Sequence, residues 1–155
     1  MQFNLESIAR VTKMPLEGEK WFKSTSAKDI SYKQFLKGKH QDITFHKEIP
    51  RTYMKKEFQE LLRFIQMYIN CEGRYGRTFL YHFRLLLHFT GNSPMNMPHF
   101  LLKSLTKMST KVQKNPETIK TKVFHRGLIK LLILEELQNI NKIWDYFLFL
   151  GDFRT

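Results

Sequence analysis

Four lysines, Lys103, Lys107, Lys111 and Lys114, recur at steps of four, four and three residues. On a helix that spacing lines them up along one side. Such a row of ammonium groups suits the successive phosphates of a nucleic-acid backbone. Its plainer reading is a solvated face. No acidic residue lies between positions 73 and 116, so nothing local in the chain neutralises the row. Aromatic residues for stacking on bases are missing from it, which makes any nucleic-acid contact electrostatic and blind to sequence. Lys120, Lys122 and Arg126 carry the basic region further.

A second candidate precedes the row. In Cys71-Glu72-Gly73-Arg74-Tyr75-Gly76-Arg77, two glycines and two arginines stand before an expected helix N-terminus. Arg74 and Arg77 there are suited to an anion. The spacing is not that of a P-loop, and no strand is expected before it. The alternative is a turn between helices with solvated arginines.

Other chemistry finds few residues. Paired carboxylates, a nucleophile with its base, H-E-x-x-H and glycine-rich nucleotide loops are all missing from the sequence pattern. His40 and His46 have no cysteine or carboxylate cluster at ligand spacing. His82 and His88 lie six residues apart and do not share a face, and His99 and His125 stand alone. The single cysteine, Cys71, rules out an intrachain disulfide and a cysteine-rich zinc site. With no neighbouring base it reads as a packed thiol. The expectation is a protein without enzymatic activity, metal or cofactor.

Composition sets the class. A chain of 155 residues makes one domain with a real core. Of its net charge of +12, nine units fall between positions 74 and 126. Basic proteins meet nucleic acid, anionic membrane surfaces or acidic partners. The N-terminus lacks the apolar core of a secretory signal. One cysteine fits a reducing, intracellular compartment, nucleus or cytoplasm. The apolar run from Thr78 to Thr90 is shorter than the roughly 20 residues a membrane span needs. It is also interrupted by His82, Arg84 and His88.

These residues must be positioned by helices. The expected fold is all-α: a single compact domain, a bundle of five or six helices with an irregular N-terminal arm. Residues 1–50 form the arm, with a short helix around Leu5, Ile8 and Val11, and residues 51–150 the helical core. Within the arm, Ser26 is placed to cap a helix from Ala27 to Leu36, and residues 39–50 read as extended linker around Ile43 and Phe45. Thr52 is placed to cap the next helix, whose apolar face is Phe58, Leu61, Leu62, Ile65, Tyr68 and Ile69. The stretch from Thr78 to Thr90 is apolar on nearly every side, as a helix buried all round should be. Asn96 caps the lysine helix, with Pro98 in its first turn and Leu101, Leu105, Met108 and Val112 as its core stripe. Val123 to Leu137 reads as a second buried helix, with Gly127 marking a close crossing. Asn141 is placed to cap a last helix. The helices centred near 62, 84, 106, 131 and 146 are expected to pack around the second and fourth.

Several blocks in order carry a resemblance. They are Leu16-Glu17-Gly18-Glu19-Lys20-Trp21-Phe22, Ile49-Pro50-Arg51, Cys71 to Arg77, His82-Phe83, Leu87-His88-Phe89-Thr90-Gly91, Gly127-Leu128-Ile129 and Glu135-Glu136-Leu137. Together they resemble plant open-reading-frame proteins associated with transposons or retrotransposons, over most of the chain. The resemblance implies a mobile-element origin, domesticated or decayed, and brings no catalytic residue with it. Two functions follow as expectations. One is sequence-blind binding of DNA or RNA through Arg74, Arg77, Lys103, Lys107, Lys111, Lys114, Lys120, Lys122 and Arg126. The other is assembly with itself or another protein through residues 141–155, led by Trp144, Tyr146, Phe147 and Phe149. A third expectation is a decayed fragment with no retained activity, which the abrupt ending Gly151-Asp152-Phe153-Arg154-Thr155 suits.

Overall fold

A computed structural model of the chain describes residues 3–22, 30–44, 48–70, 76–115 and 126–151; for 70, 126, 141 and 143–151 it describes the backbone alone. Helix α1 spans Leu5–Thr12, α2 Lys56–Phe64, α3 Leu80–Phe89, α4 Met97–Lys114 and α5 Arg126–Gly151. Strands β1, Glu48–Pro50, and β2, Arg77–Phe79, pair antiparallel with Ile49 opposite Thr78. The chain is mostly helical, as expected, with a small ladder that an all-α fold does not contain.

The helices begin where local chemistry lets them. Asn4 caps α1, its side chain accepting from the Ser7 N–H at 2.8 Å, and Lys13 ends it in the left-handed conformation. Asn96 caps α4, accepting from the His99 N–H at 3.0 Å, with Pro98 in the first turn. Each cap satisfies an amide that the helix leaves without a carbonyl. Helix α3 is served differently: the Phe79 N–H donates to Nδ1 of His82 at 2.9 Å. Five successive residues of α3, His82 to Leu86, are buried, so this helix does lie inside the protein on every side.

The main core gathers Phe35, Leu36, Met54, Leu62, Ile65, Phe83, Leu86, Met95 and Phe100. Phe35 meets Phe58 edge-on at 4.8 Å and stacks near Phe83 at 5.9 Å. Trp21 and Phe22 are half-buried against this core and hold the arm to it. A second cluster joins Ile8 of α1, Leu101 and Leu105 of α4 and Leu132 of α5.

Several expectations need correction. The helix expected from Ala27 to Leu36 is not present over its described part: residues 30–36 hold a single turn at Lys33–Phe35. Leu36 forms an isolated bridge with Met54, and the Lys55 N–H bonds Phe35 O at 2.9 Å. Backbone pairing across the chain outcompetes a local helix there.

The linker at 39–50 ends in β1, whose partner β2 lies a whole helix further on. Thr52 does not cap α2, which starts at Lys56 after a separate turn over Arg51–Tyr53. Beyond α2 the backbone widens into a π-helical stretch, Ile65–Asn70. That change of pitch alters which residues face inward. Gln66 is drawn inside and donates to Arg77 O at 2.8 Å. Tyr68, expected on the apolar face, is 63% exposed.

The last correction is the largest. Residues 126–151 form one continuous helix, with Asn141 inside it rather than capping a new one. Among the described side chains of this helix only Leu132 is fully packed. Leu131, Ile133, Leu134, Leu137 and Ile140 are each at least 40% exposed. Helix α5 leans on α1 by one stripe, Leu128, Ile129 and Leu132, and α1 is only eight residues long. Among the described residues nothing lies within 4 Å of where a side chain on Gly127 would begin, so none of them makes the expected close crossing there. Among the described residues the main core therefore gathers around α3, while α5 adds one stripe to a second cluster with α1 and α4.

Candidate nucleic-acid interface

Helix α4 has three sides. Met97, Phe100, Leu101, Ser104 and Leu105 are buried against the two cores. That burial fixes the rotation of the helix and turns Lys103, Lys107, Lys111 and Lys114 outward, where all four are exposed. From Lys103 to Lys114 the row runs about 17 Å along the axis. Helix α4 contains no acidic residue. Lys111 and Lys114 also lie in its last turn, where the helix dipole favours a cation.

The third side of α4 lines an open groove of about 400 Å³ with Phe3 as its far wall. Leu102, Leu105, Thr106, Ser109, Thr110 and Gln113 form the helix side. The hydroxyls of Thr106 and Thr110 donate back to the carbonyls of Leu102 and Thr106, so those donors are already used.

One electrostatic relation was not legible in the sequence. His99, in the first turn of α4, is held below the usual histidine range, first by burial and then by the charges of Lys103 and Lys20. Lys20 comes from the N-terminal arm and brings its charge to the start of the lysine row. The hydrogen bonds that dock the arm put it there: the Asn96 N–H donates to Glu19 O at 2.9 Å, and the Asn96 side-chain amide to Leu16 O.

Arg77 sits on β2, with Nε 3.5 Å from Oε1 of Glu48. Arg84, counted among the basic residues of this region, is internal: Nη1 donates to Ser93 O at 2.8 Å, and Nη2 to the Glu19 carboxylate. Arg74, Lys120 and Lys122 lie outside the described residues, as do Cys71, His46 and His125. Arg126, Trp144, Tyr146, Phe147 and Phe149 are on the backbone of α5, and their side chains lie outside the description. The expected loop-to-helix anion site is interrupted, because β2 intervenes before α3 and His82 already occupies the Phe79 amide.

The remaining histidines serve packing. His40 stacks on Tyr53 at 3.9 Å, and His88 Nδ1 accepts from the Met95 N–H at 2.9 Å. Among the described residues no three His, Cys, Asp or Glu side chains converge as metal ligands would. Among them, too, no helix is long and apolar enough to cross a membrane.

No family model matches the chain, and the comparisons with curated proteins and with solved structures found no match.

Proposed function

We propose that the chain is a non-enzymatic helical module of mobile-element origin. It binds DNA or RNA inside the cell through phosphate contacts, without reading bases. The observation that carries this reading is the exposed lysine row on α4, a helix of 18 residues with no acidic side chain. Lys20 adds to the row at its N-terminal end, through the arm docked on Asn96. The aromatic-free face supports backbone contact over base stacking.

The test is a mobility shift of the full chain with duplex and single-stranded oligonucleotides at low salt. Binding is expected to be independent of sequence. Replacing Lys103, Lys107 and Lys111 by glutamate is expected to abolish it. Binding that survives this triple change, or no binding at low salt, rejects the reading.

A further inference from the structure

Two tight turns, Gly38–His40 and Arg51–Tyr53, are held against each other by backbone pairing. Leu36 forms an antiparallel bridge with Met54, the Lys37 N–H donates to Tyr53 O at 2.9 Å, and the Lys55 N–H donates to Phe35 O at 2.9 Å. This docking lays the imidazole of His40 flat on the ring of Tyr53, with centroids 3.9 Å apart and planes within 8°. Tyr53 in turn packs against the main core. The order from the inside outward is therefore core, tyrosine, histidine. His40 has one face on Tyr53 and, among the described residues, stacks on no second ring. None of Gly38, Lys39 and His40 is buried. The described residues also leave open space where a side chain on Gly38 would begin.

Cations surround the stack. Residues 33–56 carry seven cations against two anions, Asp42 and Glu48, and Glu48 already faces Arg77. The His40 N–H donates to Lys37 O at 2.8 Å, a three-residue spacing that brings the side chains of Lys37 and His40 to one side. Lys37 and Lys39 both act on the imidazole, which is held below the usual histidine range, first by partial desolvation and then by the charges of Lys39 and Lys37. Among the described residues no carboxylate pairs with either lysine. An aromatic face backed by a rigid core and flanked by ammonium groups suits a nucleic-acid base with its neighbouring phosphates. A duplex hides its base faces in its own stack and has none to offer. An acidic peptide would use the lysines and leave the ring face unused. An anionic membrane would need apolar side chains beside the lysines, where the exposed Gly38, Gln41 and Asp42 stand instead.

We propose that the outer face of His40 is a stacking site for one base of a single-stranded nucleic acid, with the adjoining phosphates on Lys37 and Lys39. The site differs in kind from the α4 row, which is expected to take duplex and single strand alike, and it stands whether or not the row binds. It gives the chain a preference for unpaired strands, which phosphate contacts alone do not supply.

The experiment is an NMR titration of the full chain, following the His40 ring protons, with oligothymidine, oligouridine and a duplex of equal length. Either single strand is expected to move these protons upfield, the mark of a base stacked over them, and to raise the His40 pKa as phosphates offset Lys37 and Lys39. The duplex is expected to cause no upfield shift. His40→Ala is expected to weaken single-strand binding about tenfold and leave duplex binding as it was, while His40→Phe keeps the affinity. With Lys103, Lys107 and Lys111 replaced by glutamate the upfield shift is expected to persist, so failure of the row and failure of this site are read apart. Pyrophosphate that raises the pKa as far as the oligonucleotides do, with no upfield shift from either strand, overturns the proposal and leaves a simple anion site. His40 protons that ignore both single strands overturn it too, as do protons that a duplex shifts equally or single-strand binding that His40→Ala leaves unchanged. Should His40→Ala disturb the fold, the titration of the unaltered chain decides the matter.

Discussion

The guanidinium of Arg84, buried in α3, reaches the carboxylate of Glu19, sixty-five residues earlier in the chain. Arg84 also holds Ser93 O. Through these bonds the N-terminal arm, the end of α3 and the approach to α4 become one unit. The unit matters to the proposed function because it sets Lys20 beside the start of the lysine row.

The two partners of this pair are unequally exposed, 6% for Arg84 and 62% for Glu19. Removing Glu19 leaves a buried cation whose remaining partner among the described residues is the Ser93 carbonyl. Glu19→Ala is therefore expected to cost about 1–3 kcal/mol, more than an ordinary surface ion pair, with solvent screening keeping it below the fully buried case. Urea unfolding of the variant beside wild type measures it, and an unchanged midpoint refutes it.

Two glycines with positive φ should behave differently. Gly18 has φ +98°, and a Cβ there would stand 2.6 Å from the Met95 carbonyl carbon. Gly91 has φ +79° with open space around it. Gly91→Ala is expected to cost about 1–2 kcal/mol, the left-handed penalty alone. Gly18→Ala should cost more, since backbone must move as well. Thermal midpoints of the two variants give the order, and an equal loss would show that the arm yields freely.

His88 makes stability depend on pH. Its pKa lies below the ordinary value of 6.5, through burial first and the charge of Arg84 second. The neutral ring is the form that accepts the Met95 N–H. A group with a depressed folded pKa takes up more protons when unfolded, so its contribution is complete above pH about 6.5 and is lost as pH falls through the folded value. Unfolding midpoints should therefore drop between pH 7 and pH 5. His88→Gln should flatten part of that slope, leaving the share due to His99, which is shifted the same way.

His99 also reports on the lysine row without relying on a binding assay. Lys103→Glu removes one of the charges that hold its pKa down, so the His99 titration followed by NMR should move upward. Adding an oligonucleotide should move it in the same direction, as phosphates neutralise Lys103 and Lys20. A His99 titration that ignores both changes would separate it from the row.

The salt dependence of binding gives a number. Four lysines on four duplex phosphates predict a slope of log affinity against log salt of about −3.6, or roughly a hundredfold loss between 50 and 200 mM salt. Arg77→Ala should leave this slope unchanged, because Arg77 lies on β2 at Glu48.

What residue order determined by itself was local. The buried character of α3, the Asn96 cap with Pro98, and the division of α4 into an apolar stripe and a lysine row could all be read from spacing. In each case the pattern that signals the outcome lies within a few consecutive residues. The tertiary structure decided what depended on distant partners. Ile49 became strand because Thr78 lay opposite, and Gln66 went inside because a π turn changed the pitch beside β2. Lys20 reached His99 only once the arm was docked. Helix α5 shows the reason most plainly. Hydrophobic sequence specifies that a surface favours being covered, but not whether the chain holds an element long enough to cover it, and α1, at eight residues, covers one stripe.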